Sequence, residues 1–240
     1  MNTPQTTSAD AQRAAQTPGF RMVRSLGGIA MLSGLLVVLV YQWTKPFIDE
    51  NQRIAIESAV FQVVPGATQR IDVVLGEAGM VAQGEGNGET VYAAFGKDGE
   101  LRGLALATGA QGYQDIVSLL YGYDPACQCV RGIKILKMTE TPGLGDKVAF
   151  DPAFLENFVA LDARLNSAGD ALANPIKAVK HGHKQHPWEV DAISGATISS
   201  VAVANAIQRS MQRMAPLIQS HLAALRAAAT APTNTGGQIR

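Results

Sequence analysis

A predominantly apolar run near the start of the chain constrains its fold more than any other feature. The run extends from Leu26 to Trp43 and contains no charged residue. At about 18 residues, it is long enough to cross a hydrocarbon core of roughly 30 Å as an α-helix. Tyr41 and Trp43 lie near its end, where aromatic side chains favour the membrane–water interface. The sequence therefore predicts one transmembrane helix, over residues 25–45.

The charges around this run predict its orientation. Arg13, Arg21 and Arg24 precede it, whereas only Lys45 follows closely. Because basic residues stay on the cytoplasmic side, residues 1–24 are expected to form a cytoplasmic tail. The rest of the chain is then expected to lie outside the membrane, in the periplasm for a bacterial inner membrane. A cleaved signal peptide is the alternative, but the run is long for one and no small-residue cleavage site follows it.

The composition favours one globular domain after the membrane helix. Of the 240 residues, 47% are hydrophobic, which is enough for a single well-buried core. The formal net charge is +0, and a nucleic-acid surface would need a basic excess on one face. We therefore expect no nucleic-acid partner, a domain over residues 46–228, and a flexible tail over residues 229–240, which are rich in Thr, Pro and Gly.

Short apolar runs broken by Gly, Asp and Asn predict a series of β-strands in this domain. They lie at residues 71–74, 91–95, 101–107, 116–121 and 133–136. The turn residues of Gly96–Glu100 predict a hairpin between two of them. The predicted fold class is α+β, in which an N-terminal transmembrane helix precedes a domain with a partly antiparallel sheet and flanking helices.

Three further helices are predicted from apolar spacing and capping residues. The first is an amphipathic stalk over Pro46–Val64, directly after the membrane helix. The second begins after Asp151, which can cap a helix whose first residue is Pro152. The third begins at Thr197 and is expected to end where Pro216 interrupts its apolar spacing, with its methionines in the core.

The segment Ser194-Gly195-Ala196-Thr197 is predicted to lead from an apolar strand directly into this third helix. The first turn of a helix presents unpaired N–H groups and the positive end of the helix dipole, so an anion is stabilised there. Ser194 is expected to cap the helix or bond the anion, Gly195 to allow close backbone approach, and Ser199 and Ser200 to offer further hydroxyls. An ordinary N-cap that binds nothing is the alternative.

These residues, together with Thr141-Pro142-Gly143-Leu144-Gly145, resemble two motifs of FMN-binding domains. Ser-Gly-Ala-Thr resembles the flavinylation motif, and Thr-Pro-Gly-Leu-Gly resembles a loop beside the flavin ring. Gly112-Tyr113 resembles a third segment, although Asp115 replaces its usual glycine. The resemblance implies FMN joined by a phosphoester to Thr197. It also implies a cofactor site formed by Ser194, Gly195, Ala196, Ser200, Thr141, Gly143, Leu144, Gly145 and Tyr113.

Within this family, the chain resembles most closely the G subunits of Rnf-type ion-translocating ferredoxin:NAD⁺ oxidoreductase complexes. The resemblance implies an electron-transfer subunit that carries single electrons on FMN, with integral-membrane and iron–sulfur subunits as partners. It also implies maturation by a flavin transferase, which is expected to recognise the segment that contains Asp191. The alternatives are a C subunit of a sodium-pumping NADH:quinone reductase, a free-standing anchored flavoprotein, and a flavin-free anchored binding module.

Two other groups of residues are of types that bind metals, but in neither group does the sequence favour a metal site. Cys127 and Cys129 are too few for a zinc site, and either free thiols or a local disulfide remain open. His181, His183 and His186 lie close together without a carboxylate or cysteine to complete a ligand set, so a solvated loop is expected.

Overall fold

The computed structural model describes residues 19–76, 79–82 and 88–228. The predicted tail at 229–240 and most of the one at 1–24 lie outside these residues. The chain divides into two compact units, residues 1–53 and residues 54–240.

The described part of the first unit is one helical segment, the N-terminal portion of helix α1 (Gly19–Val63). Its most apolar 18-residue window has a mean hydropathy of 2.0 and no buried residue. Among the described residues, α1 is the one helix long and apolar enough to cross a membrane. Side chains that are apolar on every side and uncovered by protein are those expected of a helix surrounded by lipid.

Helix α1 is longer than predicted, because it begins at Gly19 and passes through Pro46 without a break. The prediction of a separate stalk helix from Pro46 was therefore wrong, although the helix does end one residue before the predicted Val64. A proline removes a single backbone hydrogen bond, and intact turns on both sides can keep the helix continuous.

Among the described residues of the second unit, seven strands form one antiparallel sheet. Their order is β2-β1-β3-β4-β5-β6-β7. The strands are β1 (Gln69–Gly76), β2 (Gly79–Ala82), β3 (Glu89–Phe95), β4 (Leu101–Gln111), β5 (Ile116–Asp124), β6 (Cys129–Lys137) and β7 (Leu161–Asp162). All five predicted strands and the hairpin at Gly96–Glu100 are confirmed.

The remaining elements follow the sheet along the chain. They are a 3₁₀-helix (Gly145–Ala149), α2 (Pro152–Glu156), β8 (Lys177–Val179), β9 (Glu189–Asp191) and α3 (Thr197–Ala227). Strands β8 and β9 pair in parallel, so the prediction of a partly antiparallel α+β domain is confirmed. Asp151 caps α2 as predicted, because its Oδ1 accepts a hydrogen bond from the N–H of Phe154 at 3.1 Å.

Helix α3 starts at Thr197 as predicted but does not end at Pro216. It continues to Ala227, so the predicted end was wrong. Met214, Ala215 and Ile218 are buried around the proline, and the packing of turns on both sides offsets the loss of one backbone bond. Met211 and Met214 lie in the core, as the apolar spacing indicated.

The two faces of the sheet pack against different helices. Val91, Ala93 and Phe95 of β3 belong to the main core with α3, whereas Tyr92 and Ala94 pack against the end of α1. This alternation follows from the two-residue period of a strand, which sends successive side chains to opposite faces.

Cys127 and Cys129 form a disulfide at the turn between β5 and β6, which decides between the two states left open by the sequence. Gln128 between them has a φ of 52°. Its carbonyl oxygen accepts from the N–H of Ala163 at 3.0 Å and its side chain from Leu165 at 3.0 Å. The disulfide-closed turn is thus bonded to the segment after β7.

Candidate functional site

The start of α3 has no side-chain cap. The N-cap residue is Ala196, and the first backbone bond of the helix runs from Ser200 N–H to Ala196 O at 2.9 Å. The N–H groups of Thr197, Ile198 and Ser199 precede that bond and have no partner among the described residues. The helix therefore presents a ready site for an anion.

The strand before the motif ends at Asp191, three residues earlier than Ser194, so the prediction that it leads directly into the helix was wrong. A turn intervenes, closed by the N–H of Ala196 bonding to Ile193 O at 3.0 Å. Gly195 supplies the required φ of +82° within this turn. Because Ser194 lies in the turn and two residues before the N-cap, the prediction that it caps the helix was also wrong.

The three hydroxyls of the first turn have different environments. Ser200 is fully buried, and its oxygen accepts from Ile193 N–H at 3.1 Å and donates to Ala196 O at 2.9 Å. Ser199 is 2% exposed and donates to Glu140. Thr197 is exposed, and no described residue hydrogen-bonds its hydroxyl. Among these three hydroxyls, Thr197 alone is both accessible and uncommitted.

A cleft of about 430 Å³ lies at this end of α3, within the size range of small-ligand sites. It brings together all three segments that the sequence indicated. Its lining residues are Tyr113, Glu140, Thr141, Leu144, Gly145, Gly195, Ala196, Thr197, Ile198 and Ser199. Seven of the predicted site residues are therefore adjacent, whereas Ser194, Ser200 and Gly143 are not part of the lining.

The rim of the cleft is apolar and accessible. Tyr113 is 67% exposed, Ile198 is 53% exposed and Leu144 is 48% exposed. Leu144 also lies against the turn of the Ser-Gly-Ala-Thr motif, since a Cβ on Gly195 would be 3.4 Å from its Cδ2. Large apolar side chains around a concave site suit a flat aromatic ligand.

The loop at 141–145 is folded partly against itself. The carbonyl oxygen of Thr141 accepts from Leu144 N–H at 3.2 Å and from Asp146 N–H at 3.4 Å. These two N–H groups are therefore not free for a ligand. Gly143 has a φ of +76°, which the turn requires, and so contributes backbone conformation rather than a contact.

Glu140 connects the three segments, a role that no sequence pattern indicated. It is 6% exposed and accepts hydrogen bonds from the N–H groups of Tyr113 at 3.3 Å and Gln114 at 3.2 Å, and from the Ser199 hydroxyl. These three partners are 26 to 59 residues away in the chain. Burial alone would raise the pKa of Glu140, but these hydrogen bonds outweigh it and hold the pKa below its usual value.

Asp115, which departs from the usual glycine, does not prevent closure of the turn at Tyr113. Its carbonyl oxygen accepts from Gly112 N–H at 2.8 Å, and its carboxylate accepts from Ile116 N–H at 2.7 Å. The side-chain amide of Gln114 donates to Thr141 Oγ1 at 3.0 Å, which ties this turn to the 141–145 loop. Tyr113 is thereby held at the cleft despite the substitution.

The histidine segment is exposed, as predicted for a solvated loop, and none of its residues is part of the cleft lining. His181 pairs with Asp191 at 3.2 Å, and His186 stacks on Trp188 with ring centroids 4.5 Å apart. Asp191 also accepts from Gly182 N–H at 2.7 Å, so its side chain holds this loop. The described residues contain no group of three or more His, Cys, Asp or Glu side chains that could hold a metal ion.

The residues of the cleft fit FMN. Its phosphate matches the uncapped N–H groups at the start of α3, its flat ring matches the apolar rim, and Thr197, with its free hydroxyl, lines the same cleft. The fold and the cleft thus define an FMN-binding domain, and the profile of that family matches residues 112–212.

Comparison with known proteins identifies a narrower family. The chain is 31% identical over 188 residues to the G subunit of the ion-translocating oxidoreductase complex of Haemophilus influenzae, covering 77% of this chain and 84% of the relative. It is 31% identical over 164 residues to the G subunit of the Na⁺-translocating ferredoxin:NAD⁺ oxidoreductase complex of Acetobacterium woodii, covering 68% and 70%. The chain therefore belongs to the family of G subunits of ion-translocating oxidoreductase complexes.

A solved structure supports the fold. The C subunit of the Na⁺-translocating NADH-quinone reductase from Parabacteroides distasonis has a TM-score of 0.50 and 20% identity, covering 63% of this chain and 78% of that one. Family membership and helix α1 together make the chain a membrane-anchored protein, whose described residues include a single membrane-spanning helix.

Proposed function

We propose that this protein is the electron-transfer subunit of a membrane-bound, ion-translocating oxidoreductase complex of the Rnf type, with FMN joined through a phosphoester to Thr197. The main support for attachment at Thr197 is a difference in exposure and hydrogen bonding between its hydroxyl and those of the neighbouring serines. Thr197 lines the cleft beside the free N–H groups of α3, and its hydroxyl is exposed and uncommitted. Ser199 and Ser200 are buried and already hydrogen-bonded, and Ser194 does not line the cleft.

The attachment is a phosphoryl transfer that requires a donor with an activated phosphate. Thr197 Oγ1 attacks the flavin-side phosphorus of a flavin dinucleotide, and the new P–O bond replaces the anhydride bond to a nucleoside monophosphate. The hydroxyl proton goes to a base of the flavin transferase, and the leaving group departs as the free monophosphate. The N–H groups of residues 197–199 stabilise the negative charge of the transferred phosphate.

The remaining lining residues bind and orient the cofactor. When bound, FMN supplies the capacity to accept and donate single electrons. Leu144 and Ile198 provide apolar contact surface, and Tyr113 at the rim limits access of water to the ring. Because the phosphate end is fixed at α3, the apolar rim determines how the rest of the cofactor lies.

The proposed topology follows from the charges around α1. Arg21 and Arg24 near its start favour a cytoplasmic N-terminus, and this supports a periplasmic location for residues 46–228. A cofactor outside the cytoplasm is not easily replaced after dissociation, and a covalent bond removes that loss. The proposed partners are the other subunits of the complex, including integral-membrane and iron–sulfur subunits, and the flavin transferase that matures the chain.

Intact-mass measurement tests this proposal directly. The full chain is co-expressed with a flavin transferase, beside Thr197→Ala and the matched control Ser194→Ala. We expect wild type and Ser194→Ala each to gain the mass of one FMN less one water, and Thr197→Ala to gain nothing. A gain in Thr197→Ala would place the flavin elsewhere, and no gain in wild type would favour the flavin-free binding module.

A further inference from the structure

We propose that Glu140 is a positioning residue of the flavin site, which sets the first turn of α3 for flavin attachment and places one negative charge in the cleft wall that lowers the reduction potential of the attached FMN. This inference deepens the proposed function and rests on it. It assigns a role to a carboxylate that neither contacts the attachment oxygen nor belongs to either sequence motif core.

Hydrogen bonds from two separate segments converge on the side chain of Glu140. Glu140 Oε1 accepts from Gln114 N–H at 3.2 Å, and Oε2 accepts from Tyr113 N–H at 3.3 Å and from the hydroxyl of Ser199. The turn that carries Tyr113 and the first turn of α3 are thus held through the same carboxylate. Ser199 is two residues after Thr197 in that helical turn, so its position limits where the Thr197 hydroxyl can lie.

Two glycines, Gly112 and Gly145, leave the space that this carboxylate occupies. A Cβ on Gly112 would lie 2.5 Å from Glu140 Oε1. A Cβ on Gly145 would lie 2.8 Å from Glu140 Oε2 and 2.8 Å from Ser199 Oγ. Any larger residue at either position would displace the carboxylate or its partner. The backbone on both sides is therefore matched to the presence of Glu140.

The carboxylate of Glu140 also brings a negative charge to the cleft. Glu140 lines the cleft, and its hydrogen bonds favour the ionised form despite burial. A fixed negative charge close to a redox group disfavours the addition of an electron, because the effective dielectric in a partly buried site is lower than in water. An apolar residue in this position would hold the loops together without this electrostatic effect.

Glu189 provides a matched control within the same domain. It is 5% exposed, accepts from the N–H groups of Gln185 at 2.9 Å and His186 at 3.1 Å, and pairs with Lys177 at 3.3 Å. It is therefore also a buried carboxylate that holds a loop, but it does not line the cleft. If Glu140 only held its loops in place, Glu140→Gln and Glu189→Gln would have the same effect on the rate of FMN attachment and on the reduction potential.

The test compares full-length wild type, Glu140→Gln, Glu140→Asp and Glu189→Gln. Each is incubated with a flavin transferase and flavin adenine dinucleotide, and the rate of FMN attachment is followed by intact mass. The reduction potential of the attached FMN is then measured by spectroelectrochemical titration. We expect attachment to slow at least about tenfold in both Glu140 variants, because small displacements of a reacting oxygen have effects of this size.

The potential separates charge from structure. We expect it to become more positive in Glu140→Gln, which lacks the charge, and to stay close to wild type in Glu140→Asp and Glu189→Gln, which keep the carboxylate of the cleft. Equal attachment rates and equal potentials in wild type and Glu140→Gln would overturn this inference while leaving the proposed function intact. A wild-type chain that gains no FMN would overturn both.

If the Glu140→Gln chain does not fold, Ser199→Ala tests the positioning role instead. This variant removes the hydroxyl that donates to Glu140 and leaves the negative charge of Glu140 in place. That variant is expected to slow attachment without a positive shift in potential. Attachment at the wild-type rate in Ser199→Ala would contradict the positioning role.

Discussion

The two faces of the sheet each hold a long helix, but they do so in different ways. Helix α3 buries one face, with core residues from Ser199 to Leu225. The described part of α1 is buried only near its end, through Ala59, Val60 and Val63. Packing that is spread over many residues lets α3 leave its first turn uncapped and open to a ligand, whereas the attachment of α1 depends on close contact at a few atoms.

That close contact is made possible by glycines on neighbouring strands. A Cβ on Gly122 would lie 2.0 Å from the carbonyl oxygen of Val63, and one on Gly103 would lie 3.0 Å from Val64 Cγ1. Gly132, the cross-strand partner of Gly122, is less constrained, because its Cβ would be 3.5 Å from Val63 Cα. Within this glycine patch, formed by Gly103, Gly122 and Gly132, an added Cβ is therefore expected to disturb the end of α1 at Gly122 but not at Gly132.

The largest expected effect comes from substitutions in that patch. Gly122→Ala would force the end of α1 away from the sheet, and we expect the free energy of unfolding to fall by about 3 kcal/mol, since overpacking a tight contact has costs of this order. Denaturant unfolding of the full chain in detergent, followed by circular dichroism, measures it. Gly132→Ala is the matched control, and equal destabilisation by both would contradict the proposed close contact.

A smaller effect on the free energy of unfolding is expected at the start of α3, where the hydroxyls of Ser200 and Thr197 can be compared. Ser200→Ala removes the acceptor for the N–H of Ile193, and leaving this partly buried donor unsatisfied is expected to lower the free energy of unfolding by about 1–2 kcal/mol. Thr197→Val replaces an uncommitted, exposed hydroxyl and is expected to change it by less than about 0.5 kcal/mol. Both are measured on chains without flavin, and a larger loss in Thr197→Val would show that its hydroxyl is structurally engaged.

The smallest effect concerns acid stability. Because the pKa of Glu140 is lowered in the folded chain, its ionised form contributes stability above its unfolded pKa, and this contribution is lost as pH falls through the folded pKa. The difference in free energy of unfolding between wild type and Glu140→Gln should therefore shrink as pH is lowered from neutral through the range below its usual value of 4.5. A difference that stays constant or grows on acidification would contradict an ionised Glu140.

Local patterns were sufficient to predict five of the seven described strands of the sheet and the start of α3, but not the short strands β2 and β7. These five strands follow from short apolar runs, and the first helical residue follows from the helical apolar spacing that begins after Ser-Gly-Ala. The two errors in helix length both involve prolines, Pro46 and Pro216, because the sequence does not show the turns that keep the helix intact on either side.

The site residues that belong to a sequence motif could be predicted, whereas those that act through contacts between distant parts of the chain could not. Thr197, Leu144 and Tyr113 belong to recognisable segments and do line the cleft. The role of Glu140 could not be predicted, since its partners are brought together only by the fold. The capping role expected for Ser194 failed for a local reason, because the turn at Gly195 separates it from the helix.

Localisation of the flavin on the tryptic peptide of residues 185–209 tests the central claim most directly, because this peptide contains Ser194, Thr197, Ser199 and Ser200 together. Full-length protein matured with a flavin transferase is digested, and fragment-ion mass spectrometry assigns the modified oxygen. The account predicts one FMN phosphoester, on Thr197. An FMN on any of the three serines, or a peptide without FMN from a chain that binds the cofactor reversibly, would contradict it.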